Sequence, residues 1–261
     1  MWVLAPAWYF EKRSDRVCLE DILFAQWCLF LAIRIHDDLI DSQVRGPWLI
    51  AVGDDLLVEA QIQFARHVDD SAFWSLFRRA FRNTLHGIAD VDRLQMQRAG
   101  MPASALGLYA QVSGILSLGV AAVLARANRL AEYRMFQRFF GDLAIAGQLL
   151  DDLEDIEEDA VRGRLNVAAT TIIGSRRTAS RCRQAAVRRK VFSRRIVFDG
   201  AARAVIDLAR THAQRASRTA RAMGLAKGVK HAAQVVHHCE LLDEAAHRAT
   251  VDVMFARLKG L

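Results

Sequence analysis

The chain has 261 residues, of which 52% are hydrophobic and 25% charged, and its formal net charge is +7. This length supports a large buried core, and no repeat, low-complexity segment or Pro/Gly/Ser-rich linker interrupts it, which indicates a single domain over residues 1–261. The four cysteines form no CxxC pair and the N-terminus shows no signal-peptide pattern, so we expect free thiols and a cytoplasmic location.

The chain is predicted to be all-α. Only three prolines occur, none of them after residue 102, and no Asn-Gly or Asp-Gly turn joins alternating apolar runs. Apolar periodicity and break signals predict helices at about 17–42, 48–68, 71–97, 103–127, 130–160, 177–193, 197–223 and 228–257.

Two acidic motifs of the form DDxxD, 114 residues apart, mark the first and fifth predicted helices as "HDDLID" and "QLLDDLED". Residues four apart share a helix face, so Asp37 lies over Asp41 and Asp151 over Asp155. Crowded carboxylates repel one another unless a cation compensates them, and Mg²⁺ combines one or two carboxylates with water and phosphate. One DDxxD is usually a solvated acidic face, but two copies that each follow an apolar run predict a Mg²⁺–diphosphate site.

An uncharged stretch lies between Arg98 and Arg126 and is long enough to span a bilayer. Glycine, serine and glutamine dilute it, and the mean hydropathy of the chain is only +0.09. We therefore predict a buried helix that lines an apolar cavity rather than a membrane span.

A basic segment covers residues 160–198, with eleven Lys/Arg and no acidic residue. It has no aromatic residue apart from Phe192 and Phe198, and no helix-turn-helix or zinc pattern accompanies it, so no nucleic-acid partner is expected. A solvated helical face is favoured, while contact with anionic lipid and a basic flap near a phosphate site stay open. The cluster "HHCE" at 237–240 fits no zinc-site spacing.

Three ordered blocks resemble the trans-isoprenyl diphosphate synthase (polyprenyl synthetase) family of the class I isoprenoid synthase superfamily. "HDDLID" followed by Arg45-Gly46 resembles the first aspartate-rich motif, and "VGDDLLVEA" at 52–60 resembles the helix that follows it. "QLLDDLEDIEED" followed by "GRLN" at 163–166 resembles the second motif. The blocks cover about 20–165 and imply a single-domain helical bundle around a central apolar cavity.

The resemblance implies an enzyme that ionises an allylic prenyl diphosphate with two or three Mg²⁺ ions, and prenyl transfer as its reaction. It also implies a homodimer. Weak contact with a membrane surface remains open. The principal metal ligands would be Asp37, Asp41 and Asp151, with Asp38, Asp152 and Asp155 in support; Arg45, Arg164 and Gln148 would bind the diphosphate or orient the substrate.

The sequence also departs from the family pattern, chiefly where a second diphosphate would bind. No Gly-Gly-Lys-Arg segment for isopentenyl diphosphate precedes "HDDLID", and Val44 stands where the family has an arginine. These departures leave open a terpene cyclase or diphosphate lyase that acts on one prenyl diphosphate. A catalytically silent subunit that modulates a prenyl synthase is a further alternative, although the intact aspartates disfavour it.

Overall fold

The structure, a computed structural model, describes residues 5–9, 16–40, 44–97, 99–173 and 201–258. Helices dominate these residues and no strand occurs among them, which confirms the all-α prediction. Their contacts define two compact units: Met1–Thr84 with Ser113–Gln137, and Leu85–Val112 with Arg138–Leu261. The single domain and the central cavity stay predictions.

The α-helices of the described residues are numbered here in chain order. They are α1 (Pro6–Tyr9), α2 (Arg16–Ile40), α3 (Trp48–His67), α4 (Ser71–Met96), α5 (Gly107–Ser113), α6 (Leu118–Arg126), α7 (Tyr133–Glu154), α8 (Ile156–Arg162), α9 (Val167–Ile173), α10 (Ala201–Ala222) and α11 (Ala226–Leu258). Short 3₁₀ turns cover Ala103–Ala105, Gly114–Ser117 and Leu130–Glu132. The predicted helix at 177–193 lies outside the described residues.

In the first unit, α2 packs along α3, and it carries a buried stripe that recurs every three or four residues. The stripe consists of Cys18, Ile22, Ala25, Leu29 and Ala32. Buried Gly53 of α3 permits the close approach, because a Cβ at this position would lie 2.5 Å from Nε2 of His36. This contact gives a structural reason for the glycine of "VGDDLLVEA".

The predicted helix at 103–127 corresponds to a helical stretch from Ala103 to Arg126, in which α5 and α6 alternate with 3₁₀ turns. The hydroxyl of Ser117 donates to the carbonyl of Gly114 at 2.6 Å and also contacts the Tyr133 hydroxyl. Serine side chains that bond to nearby backbone favour turns over helix interiors, and 3₁₀ geometry is found from Gly114 to Ser117. The glycine and serine residues that make the segment less apolar therefore also favour 3₁₀ geometry within it.

Burial of this segment agrees with the prediction of a core helix. Among the described residues, Ala103–Arg126 is the one helical stretch whose length and composition would allow it to cross a membrane, and 61% of its most apolar window is buried. Every residue from Leu118 to Ala125 is buried.

In the second unit, the core joins α7, α9, α10 and α11 through buried side chains such as Leu149, Val167, Ile206 and Cys239. The predicted helix at 130–160 is interrupted, because α7 ends at Glu154 and α8 begins at Ile156. The predicted helices at 197–223 and 228–257 are confirmed as α10 and α11.

A tight turn joins α10 to α11. Gly224 has φ +70, its N–H donates to the carbonyl of Arg221, and the N–H of Leu225 donates to the carbonyl of Ala220. This is the Schellman arrangement, in which a left-handed glycine satisfies the last carbonyls of a helix. The two helices pack against each other along their length.

We expect Gln26→Leu to lower the free energy of unfolding by about 1–3 kcal/mol. The Oε1 of this buried glutamine accepts the N–H of Gly119 at 2.6 Å, and N–H groups in the first turn of a helix such as α6 have no partner within the helix. Denaturant unfolding measures the change. Gln61→Leu is the control, because Gln61 is exposed and bonds only its own helix, at the carbonyl of Leu57. An equal loss in both variants would contradict the assignment.

Candidate active site

The first acidic motif lies at the C-terminal end of α2, and an arginine on the same helix holds it. Nη1 of Arg34 lies 3.2 Å from Oδ2 of Asp37, and Nη2 lies 2.7 Å from Oδ1 of Asp38. The spacings of three and four residues place these charges on one helix face. Asp37 is 45% exposed and Asp38 26%, so water reaches both carboxylates. Asp41 lies outside the described residues.

His36 connects this motif to α3. Its Nε2 lies 3.5 Å from Oδ1 of Asp54, and its ring occupies the space left by Gly53. This contact places a further carboxylate beside His36, the residue that precedes Asp37. The His36 ring thus connects the "HDDLID" motif on α2 to the "VGDDLLVEA" segment on α3.

Arg45 follows the first motif on an exposed stretch before α3. It makes no ion pair or hydrogen bond within the described part of the chain. A guanidinium presents several N–H donors in a planar fork that matches phosphate oxygens. Its surroundings therefore leave the side chain available for an anionic ligand.

The second motif spans the end of α7 and the bend before α8. The N–H of Asp155 donates to the carbonyl of Asp151 at 2.9 Å, so the spacing of a helical turn persists through the bend. Desolvation by the surrounding protein raises the pKa of Asp151, and the negative charges of Glu154 and Asp155 raise it further. Neither Asp151 nor Asp155 forms an ion pair with a described residue. The charge of these two carboxylates is therefore not compensated by any described residue.

Asp152 has a different environment from its neighbours in the motif, because its side chain is only 2% exposed. Its carboxylate accepts hydrogen bonds from the hydroxyl of Tyr109 at 2.6 Å, the amide of Gln148 at 3.1 Å and the N–H of Val167 at 3.2 Å. Burial raises the pKa of Asp152 to about 6, while these donors oppose the rise. The carboxylate joins three separate parts of the second unit.

Asn166, the last residue of the "GRLN" segment, is fully buried and secures the start of α9. Its Oδ1 accepts the N–H of Ala169 at 2.8 Å, which is the contact of a helix N-cap. Its Nδ2 donates to the carbonyl of Asp152 at 2.9 Å and to Oδ2 of Asp159 at 2.7 Å. The second motif and "GRLN" are therefore one hydrogen-bonded unit.

The backbone of Leu165 holds the same segment from the other side. Its N–H donates to the carbonyl of Gln95 at 2.8 Å, and its carbonyl accepts the N–H of Met101 at 2.9 Å. Gly100 has φ +69, and a Cβ there would lie 2.4 Å from Oγ1 of Thr170 and 2.7 Å from Cβ of Leu165. A glycine is thus required for the chain to approach this closely.

The two predicted diphosphate ligands of this unit both contact carboxylates. The amide of Gln148 donates to Asp152, although its side chain is otherwise exposed. Nη2 of Arg164 lies 3.4 Å from Oδ1 of Asp92 and is mostly shielded from solvent. Their roles towards a substrate stay predictions, and Arg164 would have to leave Asp92 to meet a phosphate.

The carboxylates suit a cation that brings part of its own coordination shell. No three His, Cys, Asp or Glu side chains within the described ranges gather into a metal-binding group. Mg²⁺ usually takes one or two carboxylates and fills its remaining positions with water and substrate phosphate. Exposed oxygen donors without a local cation, as at Asp151 and Asp155, meet that requirement.

Sequence reasoning missed three residues of these arrangements. Arg34 was readable, since a basic residue three and four positions before two aspartates on a helix predicts ion pairs. Asn166 was readable as well, because asparagine directly before an apolar helix is an N-cap signal. Tyr109 gave no signal, because its partner lies 43 residues away in the chain.

Solved structures identify the fold. No protein-family model and no curated protein matches the chain. It is similar to octaprenyl pyrophosphate synthase from Helicobacter pylori, with a TM-score of 0.68, 12% identity and coverage of 90% of this chain and 87% of that one. It is also similar to geranylgeranyl pyrophosphate synthetase from Pyrococcus horikoshii Ot3, with a TM-score of 0.71, 15% identity and coverage of 90% and 84%. The predicted trans-isoprenyl diphosphate synthase fold is confirmed.

We expect Asp152→Ala to lower the free energy of unfolding by about 2–4 kcal/mol, because it leaves the hydroxyl of Tyr109 and the N–H of Val167 buried without their acceptor. Asp155→Ala is the matched control, and its exposed carboxylate should contribute less than about 0.5 kcal/mol. Denaturant unfolding without added metal compares the two variants. Similar small losses would show that Asp152 does not organise the second unit.

Proposed function

We propose that the chain is a Mg²⁺-dependent class I isoprenoid synthase that ionises an allylic prenyl diphosphate, with prenyl transfer as its reaction. The observation that carries this proposal is the combination of fold and motif. The chain shares its fold with two prenyl pyrophosphate synthases, and its DDxxD motifs lie at the ends of α2 and α7. A shared fold by itself supports many activities, so the carboxylates and arginines carry the chemistry.

In this proposal Asp37, Asp41 and Asp151 are the principal metal ligands, and Asp38 and Asp155 support them. The sequence also assigns Asp152 to the metal site, but its burial and three hydrogen bonds favour a positioning role, in which it fixes the backbone that presents Asp151. When bound, Mg²⁺ would neutralise the negative charge that develops on the departing diphosphate.

The side chains of the protein bind and orient the diphosphate. Arg45 is exposed and makes no ion pair with a described residue, so it binds the diphosphate without first breaking a contact. The C–O bond then breaks, its electron pair leaves with the diphosphate, and an allylic cation remains. In prenyl transfer the double bond of isopentenyl diphosphate attacks this cation, and loss of a proton restores a double bond.

The cation requires surroundings without nucleophiles or water. The uncharged segment between Arg98 and Arg126 supplies apolar side chains, and in the first unit its buried part, α6, packs against α2. The same helix α2 carries the first aspartate motif at its end. Apolar packing and metal-binding carboxylates thus belong to one continuous element.

A cyclase or lyase that acts on one prenyl diphosphate is the second candidate function. The missing Gly-Gly-Lys-Arg segment favours it, because that segment would bind the second diphosphate. The side chain of Asn166 is not available to a metal ion, since both ends of its amide are engaged inside the protein. The modulating subunit is the third candidate.

We expect Asp37→Ala and Asp151→Ala each to reduce Mg²⁺-dependent release of diphosphate from farnesyl or geranylgeranyl diphosphate by about 100-fold or more, because each removes charge stabilisation at the departing group. A coupled assay for released diphosphate measures the rate. Asp69→Ala is the control, because Asp69 is an exposed aspartate between α3 and α4, outside both motifs. Unchanged turnover in either motif variant would contradict the metal assignment.

Incubation with one allylic diphosphate and Mg²⁺, with and without isopentenyl diphosphate, separates the candidate functions. Prenyl transfer predicts that product forms only with both substrates, because the attacking double bond comes from the second. Chromatography of the extracted products is the measurement. A hydrocarbon or alcohol formed from the single substrate would support the cyclase or lyase instead. Failure of both reactions, with altered output when the chain is mixed with an active prenyl synthase, would support the modulating subunit.

A further inference from the structure

Five cations surround the turn between α10 and α11, and together they are called the basic turn surface. They are Arg215, Arg218, Arg221, Lys227 and Lys230. All five side chains are exposed, and none forms an ion pair or hydrogen bond with a described residue. No aspartate or glutamate occurs from residue 208 to residue 239. This end of the helix pair therefore carries a positive charge that the described residues do not neutralise.

The other end of the same helix pair is balanced. Arg210 contacts Asp207 at 2.7 Å and Asp243 at 3.6 Å, and Arg203 contacts Asp243 at 3.4 Å. Arginines on these helices thus form ion pairs where carboxylates are present. The charge on the basic turn surface results from the distribution of acidic residues along the two helices.

A groove between the two helices opens beside these cations. Its volume is about 410 Å³, and its lining includes Arg218 and Arg221 from α10 and Val236, His237 and Glu240 from α11. The carboxylate of Glu240 lies 3.4 Å from Nδ1 of His237 and forms no ion pair with either arginine. Residues 218 and 221 are three apart on one face of α10, so both guanidinium groups serve the same side of the groove. The groove thus offers two guanidinium groups to a phosphate, beside a wall that contains Ala233 and Val236.

We propose that the basic turn surface docks the protein on an anionic lipid bilayer, with lipid phosphates held at Arg218 and Arg221. A basic residue near an anionic membrane contributes about 1 kcal/mol of binding energy, so five unpaired cations suffice for reversible attachment. No large hydrophobic side chain is exposed among residues 202–240, which indicates electrostatic contact with headgroups rather than insertion.

The composition of this region favours a bilayer over a nucleic acid. Residues 201–248 contain no phenylalanine, tyrosine or tryptophan, so the surface offers none of the aromatic platforms on which unpaired bases stack. A bilayer, in contrast, presents phosphates alone and requires only charge. The physiological sense of the docking rests on the proposed function, because a prenyl diphosphate has an apolar tail that partitions into lipid.

Sedimentation of the full chain with lipid vesicles tests the surface without any turnover. We expect binding to phosphatidylcholine vesicles that contain about one third phosphatidylglycerol, no binding to pure phosphatidylcholine, and loss of binding at high salt, where the screening length falls to about 3 Å. Arg218→Glu/Arg221→Glu should weaken the binding at least tenfold.

The matched control is Arg78→Glu/Arg82→Glu, which reverses two exposed arginines on α4 with the same change in net charge. We expect less than threefold weakening in this variant and unchanged circular dichroism in both. Equal weakening in the two variants, salt-insensitive binding, or tighter binding to single-stranded RNA than to the anionic vesicles would each overturn the proposal.

Diphosphate release in detergent-free buffer is measured in parallel. Vesicle binding without turnover would refute only the proposed function, and turnover without vesicle binding only the docking surface.

Discussion

The buried carboxylate of Asp152 is the contact on which the second unit depends. An ionisable group at 2% exposure is unfavourable in the protein interior unless hydrogen bonds satisfy it, and here a tyrosine hydroxyl, a glutamine amide and a backbone N–H do so. These donors come from α5, α7 and the start of α9. One side chain thereby fixes the end of α7 relative to the elements that surround it, and the exposed Asp151 is presented from a rigid backbone.

Helix geometry explains why two adjacent aspartates of one motif have opposite environments. Successive residues on a helix point about 100° apart, so Asp151 faces solvent while Asp152 faces the core. Asp155, one turn further, returns to the side of Asp151. The DDxxD pattern at 151–155 therefore provides an exposed carboxylate pair and one internal anchor. In the first motif the second aspartate, Asp38, is instead partly exposed and paired with Arg34.

The all-α class and most helix bounds follow from apolar periodicity, which depends only on neighbours along the chain. The 3₁₀ geometry at Gly114–Ser117 was not predicted, because the hydroxyl of Ser117 is held there partly by Tyr133, a tertiary contact. The ion pair of Arg34 with Asp38 and the helix cap at Asn166 likewise follow from spacing along the chain. The contact between Tyr109 and Asp152 requires the packing of α5 beside α7, and no local pattern encodes that arrangement. The sequence therefore shows where acidic residues cluster, but it does not predict which of them is buried.

The two motifs also differ in how their charge is compensated, and this difference bears on the proposed reaction. Arg34 contributes the positive charge beside Asp37 and Asp38, whereas no described cation pairs with Asp151 or Asp155. A divalent cation at the first motif would compete with the guanidinium of Arg34 for the same oxygens. In the proposed reaction, the displaced guanidinium would lie one helical turn from the metal and would be available to the diphosphate. At the second motif the proposed metal ion would need no such exchange, because it would directly relieve the repulsion that Glu154 and Asp155 exert on Asp151.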